Sequence, residues 1–202
     1  MATKAALVIV DVQNDFLPGG SLAVPQGDEV IPVLNRYISL FRQRHLPIYF
    51  TRDWHPPETR HFRSGGGVWP PHCVQGTVGA EFHPELHIPS DAVIISKGMD
   101  PEEDSYSAFQ GKTAEGMDFL DELKRRGIDH LYVGGLATDY CVRFTVLDAR
   151  RAGFGVTVLE DGIRGVDLQS GDSQRALEEM KGAGAQSARF EDVSRELSRD
   201  EV

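Results

Sequence analysis

The sequence predicts an α/β fold, a doubly wound three-layer α/β/α sandwich around a mostly parallel sheet of about six strands. Three observations predict it. Short, nearly unbroken apolar runs recur along the chain, the form taken by strands buried on both faces of a parallel sheet. Stretches with helical apolar spacing lie between these runs. Strand and helix then alternate from end to end, the order that builds parallel crossover units.

The strand candidates are "ALVIVDV" (6–12), "LPIYFTRD" (46–53), "AVIISK" (92–97), "HLYVGG" (130–135) and "GVTVLED" (155–161). A short sixth is expected at Gln186 to Phe190. Val30, Leu34, Tyr37, Ile38 and Phe41 share one helical face, so a helix is expected across them. Further helices are expected at Gly116 to Arg126, Tyr140 to Arg151 and Ser173 to Lys181. The charged end, Glu191 to Val202, reads as a solvated helix or tail with no function attached. No repeat, low-complexity segment or linker interrupts residues 1–202, which predicts a single domain. Residues 54–89 differ from the rest. They carry Pro56, Pro57, Pro70, Pro71, a glycine run at Gly65 to Gly67 and five histidines. A loop of that length inside a domain is expected to be functional.

Composition narrows the function. The 202 residues are 40% hydrophobic and 26% charged, an ordinary globular balance. Net charge is −10, from 21 Lys and Arg against 31 Asp and Glu. That surplus argues against a nucleic-acid partner, which requires a basic face. No apolar stretch approaches the ~18 residues of a membrane span, and the opening "MATKAALVIVDVQ" is too short for a signal peptide. Two cysteines, Cys73 and Cys141, are too few for a disulfide framework and fit a reducing compartment. The expected location is cytoplasmic.

In open α/β sheets, ligands bind beyond the carboxyl ends of the strands. Asp11, Asp53 and Lys97 end the first three strand candidates, and Cys141 follows the fourth by the turn "GGLATDYC". A lone cysteine is more often a small buried apolar group than a nucleophile. Here it falls in the first helical turn, after a Thr138 placed to cap it, where free N–H groups and the helix dipole favour a thiolate. A helix end contributes only about 0.3–1 kcal/mol, so a cation is needed as well, and Lys97 can provide it. Asp11 alone would be an ordinary turn residue. With Cys141 and Lys97 it completes a nucleophile, a proton carrier and a stabilising charge. The backbone N–H groups of Ala137 and Cys141 can form an oxyanion hole, with Gly134 and Gly135 allowing the bend.

"DWHPPETRH" and "WPPHC" place Asp53, His55, His61 and His72 in one strand end and loop. Any one of these histidines would usually be a solvated loop residue. Together with the aspartate they favour a divalent metal centre, and nitrogen with carboxylate suits Zn, Fe or Mn. Four protein ligands would close a tetrahedral zinc site, whereas three would leave it open. Cys73 is a weak candidate ligand, and His83 and His87 read as ordinary loop residues.

The stretches "VIVDVQNDFLPGGSLAV", "TRDWHPPETRHF", "WPPHCVQGTVGAEFHPEL", "ISKGMD" and "GGLATDYCVRFTVLDA" closely resemble the nicotinamidase/pyrazinamidase branch of the isochorismatase-like cysteine hydrolases, across about residues 6–183. The resemblance implies a small carboxamide substrate, nicotinamide, hydrolysed to nicotinate and ammonia in NAD salvage, with pyrazinamide as an analogue. It implies a catalytic triad of Asp11, Lys97 and Cys141, and metal ligands Asp53, His55 and His72. His61 matches a fourth ligand present in only some members. It further implies aromatic ring walls at Phe16 and Trp69, with Leu22 and Tyr106 lining the pocket, and a metal that grips the pyridine nitrogen. A cis peptide is implied at Leu136–Ala137, and Tyr140 stands where relatives often carry His. Assembly of identical chains is left open.

The alternatives are an amidohydrolase of N-carbamoyl or biuret-like substrates, a vinyl-ether hydrolase that needs no cysteine, a redox-sensing thiol protein using Cys141, and a non-catalytic binding module. Nucleotide binding is disfavoured because no G-x-G-x-x-G follows the first strand.

Overall fold

In the computed structural model, which describes residues 4–199, six parallel strands form one sheet in the order β3-β2-β1-β4-β5-β6. They are β1 Ala5–Val10, β2 Ile48–Asp53, β3 Val93–Lys97, β4 His130–Leu136, β5 Gly155–Arg164 and β6 Gln186–Ala188. The central strand β1 is buried along its whole length. Its side chains alternate between two cores, Leu7 and Ile9 on one face, Ala6, Val8 and Val10 on the other. That is why "ALVIV" carries no polar residue.

Helices cover both faces. α1 (Val30–Gln43) packs its predicted stripe, with Leu34, Tyr37 and Phe41 fully buried. Each such large side chain contributes about 1.5–3 kcal/mol by leaving water. α2 (Phe119–Arg126), α3 (Arg143–Arg151) and α4 (Asp172–Gly182) cover the opposite face through Phe119, Leu123, Val146, Ala149 and Met180. α2 starts three residues later than the pattern suggests, because Thr113 N bonds to Met117 O and closes a turn there.

α5 (Phe190–Arg199) corrects the expectation of a solvated end. It buries Val193 and Leu197 against the α1 side of the sheet, and Phe190 packs edge-on to Tyr37 at 5.1 Å. Two apolar positions four residues apart suffice to seat a helix whose remaining face is charged. Residues 200–202 of that expected tail lie outside the described residues.

The turn after β4 differs in kind from a capped helix start. Thr138–Val142 form one π-helical turn that runs directly into α3. Ala137 holds the N-cap position without a side-chain bond, so Thr138 does not cap it. The Leu136–Ala137 peptide is cis. Gly135 has φ +117°, and a Cβ there would stand 2.1 Å from the Val10 carbonyl oxygen, so only glycine fits beside β1.

The 54–89 segment carries only two short 3-10 turns, Arg63–Gly65 and Val78–Ala80. It is held by isolated bridges, His55 to Val74 and Phe62 to Trp69. No helix of the described residues is long and apolar enough to cross a membrane.

Candidate active site

The strand order reverses direction at β1 and β4, and the crevice beyond their carboxyl ends is where such sheets bind ligands. Four of the strands deliver the ionisable groups to it. Asp11 follows β1 with φ +50°, Asp53 ends β2, Lys97 ends β3 and Cys141 sits in the π turn after β4. Asp53 and Lys97 are register partners across β2 and β3.

All four groups are buried. Lys97 Nζ lies 2.8 Å from Asp11 Oδ2 and 3.5 Å from Cys141 Sγ, and it also donates to Asp53 Oδ1. The acceptor and sulfur atoms of Asp11, Asp53 and Cys141 come within 4.8 Å of one another. Thr51 Oγ1 donates to Asp11 Oδ1 at 2.6 Å and orients that carboxylate.

Burial alone would lower the Lys97 ammonium, but the carboxylates of Asp11 and Asp53 beside it hold it charged. Asp53 lies well below the usual carboxylate range, because Lys97, then His55 and His72, outweigh its burial. Asp11 is raised, since burial and the Asp53 charge outweigh Lys97. The thiol departs from the sequence expectation. Lys97 is where it was expected, but burial, Asp11 and Asp53 together push the Cys141 pKa well up. The resting sulfur therefore keeps its proton, and a carboxylate is at hand to take it.

Against this group stand three buried histidines, His55, His61 and His72, whose ring nitrogens come within 4.8 Å of one another. Asp53 Oδ2 reaches toward them, 3.6 Å from His55 Nε2 and 3.9 Å from His72 Nε2. In each ring Nδ1 is engaged from outside, by Gly98 O at 2.9 Å for His55, Pro70 O at 2.7 Å for His72 and Asp104 Oδ1 at 2.7 Å for His61. Donating Nδ1–H to those oxygens leaves the Nε2 lone pairs facing inward. His55 Nε2 is buried with no hydrogen-bond partner among the described residues. Burial holds His61 below its usual value and lowers His72 to about 4, so neutral imidazole is the resting form. Ring nitrogens turned inward beside an ionised carboxylate fit a divalent cation.

A Cβ on Gly98 would meet the His55 ring at 2.5 Å, and its φ is +67°, so this glycine keeps the imidazole in place. Cys73 stays outside the cluster, with its N–H on Asp15 Oδ2 at 2.8 Å. His83 and His87 also lie outside it.

The cavity above these groups is small, about 40 Å³, space for a few waters. Phe16, Leu22, Trp69, Tyr106, Ala137, His61 and His72 line it together with Asp11, Asp53 and Cys141. His55 is not part of the lining and sits behind His61, the rings stacked at 4.5 Å. Trp69 Nε1 donates to the Tyr106 hydroxyl at 3.0 Å, and Tyr140 packs edge-on to Trp69 at 5.2 Å.

Sequence reasoning missed several contributors. Val24, Leu136 and Val166 also line the cavity, as does Tyr140. Gln13 is fully buried and spans both backbone groups of Asp53: Nε2 donates to Asp53 O and Oε1 accepts from Asp53 N, both at 2.8 Å. The Asp139 carboxylate accepts from Val166 N at 2.9 Å and Asp167 N at 2.8 Å, pinning that wall to the Thr138–Val142 turn. A charged or amide residue inside two apolar motifs was the available signal for Gln13 and Asp139.

The family model of the isochorismatase domain matches residues 5–192. The chain belongs to the isochorismatase family. The nicotinamidase of Escherichia coli K12 is 45% identical over 196 residues, which cover 89% of this chain and 92% of that protein. The crystal structure of Pyrococcus horikoshii pyrazinamidase in complex with zinc superposes with a TM-score of 0.85 at 47% identity, covering 93% of this chain and 99% of that one. PnC1 from L. infantum in complex with nicotinate gives 0.83 at 38% identity, covering 94% of each. The isochorismatase-family fold is thus shared along nearly the whole sheet and both helical layers.

Proposed function

We propose that the protein is a nicotinamidase, a cysteine amidohydrolase that converts nicotinamide to nicotinate and ammonia and also accepts pyrazinamide. The observation that carries the reading is Cys141 beside Asp11 and Lys97, under a small cavity lined by Phe16 and Trp69. The relatives named nicotinamidase and pyrazinamidase support it. The reaction returns a released pyridine to NAD synthesis.

Asp53, His55, His61 and His72 are the residues that would hold a divalent metal. Bound there, the ion supplies a Lewis acid that a ring nitrogen can occupy, which orients the pyridine. Zinc is the metal in the Pyrococcus relative, and zinc, iron or manganese all suit this donor set.

The rest of the chemistry belongs to the chain. Phe16 and Trp69 bracket the ring, and Leu22 and Tyr106 close the cavity around it. Asp11 takes the thiol proton as Cys141 Sγ bonds to the carboxamide carbon. The C=O electron pair shifts to oxygen, which rests on the Ala137 and Cys141 N–H groups. One such donor is worth about 2.7–4 kcal/mol in the transition state. Lys97 holds negative charge on Asp11 and sulfur in turn. The C–N bond then breaks as Asp11 returns its proton to nitrogen, and ammonia leaves. Asp11 next takes a proton from water, whose oxygen attacks the thioester carbon. The C–S bond breaks and sulfur recovers the proton.

A largely aromatic and aliphatic wall disfavours N-carbamoyl or biuret-like substrates, which are polar throughout. The test is ammonia release from nicotinamide by metal-loaded protein, with Cys141→Ala as control. Turnover abolished by Cys141→Ala supports the reading. Metal-loaded wild type that releases no ammonia defeats it.

A further inference from the structure

The three inward-facing histidines are oriented by unlike means. His55 and His72 are held by main-chain carbonyls of Gly98 and Pro70, which no side-chain substitution removes. His61 is held by a side chain, Asp104, whose carboxylate is 63% exposed while the His61 ring is 2% exposed. The orientation of a buried ring therefore depends on one group at the surface.

The segment bearing Asp104 is fastened to the histidine loop. Pro101 O accepts from Arg60 N at 2.8 Å and from Thr59 Oγ1 at 3.2 Å. Arg60 pairs with Glu102 at 2.9 Å, and Tyr106 takes the Trp69 bond already described. These anchors bring Asp104 to His61 independently of what the ring does. Without the carboxylate, the His61 ring can turn and present Nδ1 or neither nitrogen inward.

We propose that Asp104 is the positioning residue that commits His61 to the metal, so that this carboxylate sets whether the centre has four protein ligands or three. The inference rests on the metal centre assigned under the proposed function. It goes beyond it in assigning the ligand count to a residue that touches neither metal nor substrate.

The test compares zinc affinity, by competition with a chromogenic chelator, in wild type, Asp104→Ala, Asp104→Asn, His61→Ala and the Asp104→Ala/His61→Ala double variant. The visible spectrum of each cobalt(II)-substituted protein reports coordination directly. Loss of such a supporting partner weakens metal binding about 10- to 100-fold. Asp104→Ala is expected to fall in that range and to give the cobalt spectrum of His61→Ala. The double variant is expected to bind no more weakly than His61→Ala, because the carboxylate acts only through the ring. Asp104→Asn keeps an oxygen acceptor and is expected between wild type and Asp104→Ala. Wild-type zinc affinity in Asp104→Ala, or additive losses in the double variant, overturns the inference while leaving the metal centre standing. Wild-type protein that takes up no zinc or cobalt removes the centre and the inference together.

Discussion

Lys97 Nζ lies 3.5 Å from Cys141 Sγ, and both groups are buried. The same ammonium bonds to the carboxylates of Asp11 and Asp53, so one cation joins the three groups to which the proposed function gives the roles of nucleophile, proton carrier and metal ligand.

Lys97→Met is expected to abolish ammonia release and to destabilise the fold. It leaves two carboxylates buried without their cation, and breaking a buried pair in this way costs about 3–5 kcal/mol. Urea denaturation alongside the nicotinamide assay checks both effects. Stability equal to wild type would show that Lys97 does not hold these charges.

Gly98→Ala is expected to strip the metal. Its Cβ would enter the His55 ring, 2.5 Å from Cε1 and 2.7 Å from Nδ1, on a backbone with φ +67°. Displacing that ligand should cut zinc affinity about tenfold or more. Elemental analysis of the purified variant, together with the chelator titration, provides the measurement.

Tyr106→Phe removes the oxygen that accepts from Trp69 Nε1 and leaves the aromatic stack on Phe144 at 5.2 Å. A bond of this kind is worth about 0.5–1.5 kcal/mol, so KM for nicotinamide should rise about 2- to 12-fold with kcat nearly unchanged. Steady-state kinetics decide it. A fall in kcat at constant KM would place Tyr106 in the chemical step instead.

Glu122 carries a pH signature outside the site. Burial would raise its pKa, but hydrogen bonds from Arg125 at 2.7 Å and from Arg126 outweigh burial and hold it low. A depressed folded value means the stabilisation is present above the unfolded value of about 4.3 and lost as pH falls through the folded one. Glu122→Gln should therefore lose about 1 kcal/mol near pH 7, and the gap to wild type should close in acid. Denaturation midpoints at several pH values below 7 measure it, and a pH-independent gap would contradict it.

The apolar runs and the α1 stripe made the sheet and its helical layers legible, because a buried strand or helix face must be apolar at fixed periods whatever its neighbours are. Asp11, Asp53, Lys97 and Cys141 were legible for the same reason, as charged or reactive groups where an apolar run ends. What the linear pattern did not contain was any relation between groups distant in sequence. The acidic stretch from Asp100 to Asp104 looks like a solvated loop, yet Asp104 reaches a histidine 43 residues away. Gln13 spans 40 residues to grip Asp53. The Cys141 thiol is pushed up by its burial and by the charges of Asp11 and Asp53, which come from other strands. Val193 and Leu197 become core only because α1 presents a surface to meet them. Periodicity reports which side of an element leaves water. The charge state of a buried group and the face of a ring depend on the atoms that surround it, and those are set when strands pair and loops close.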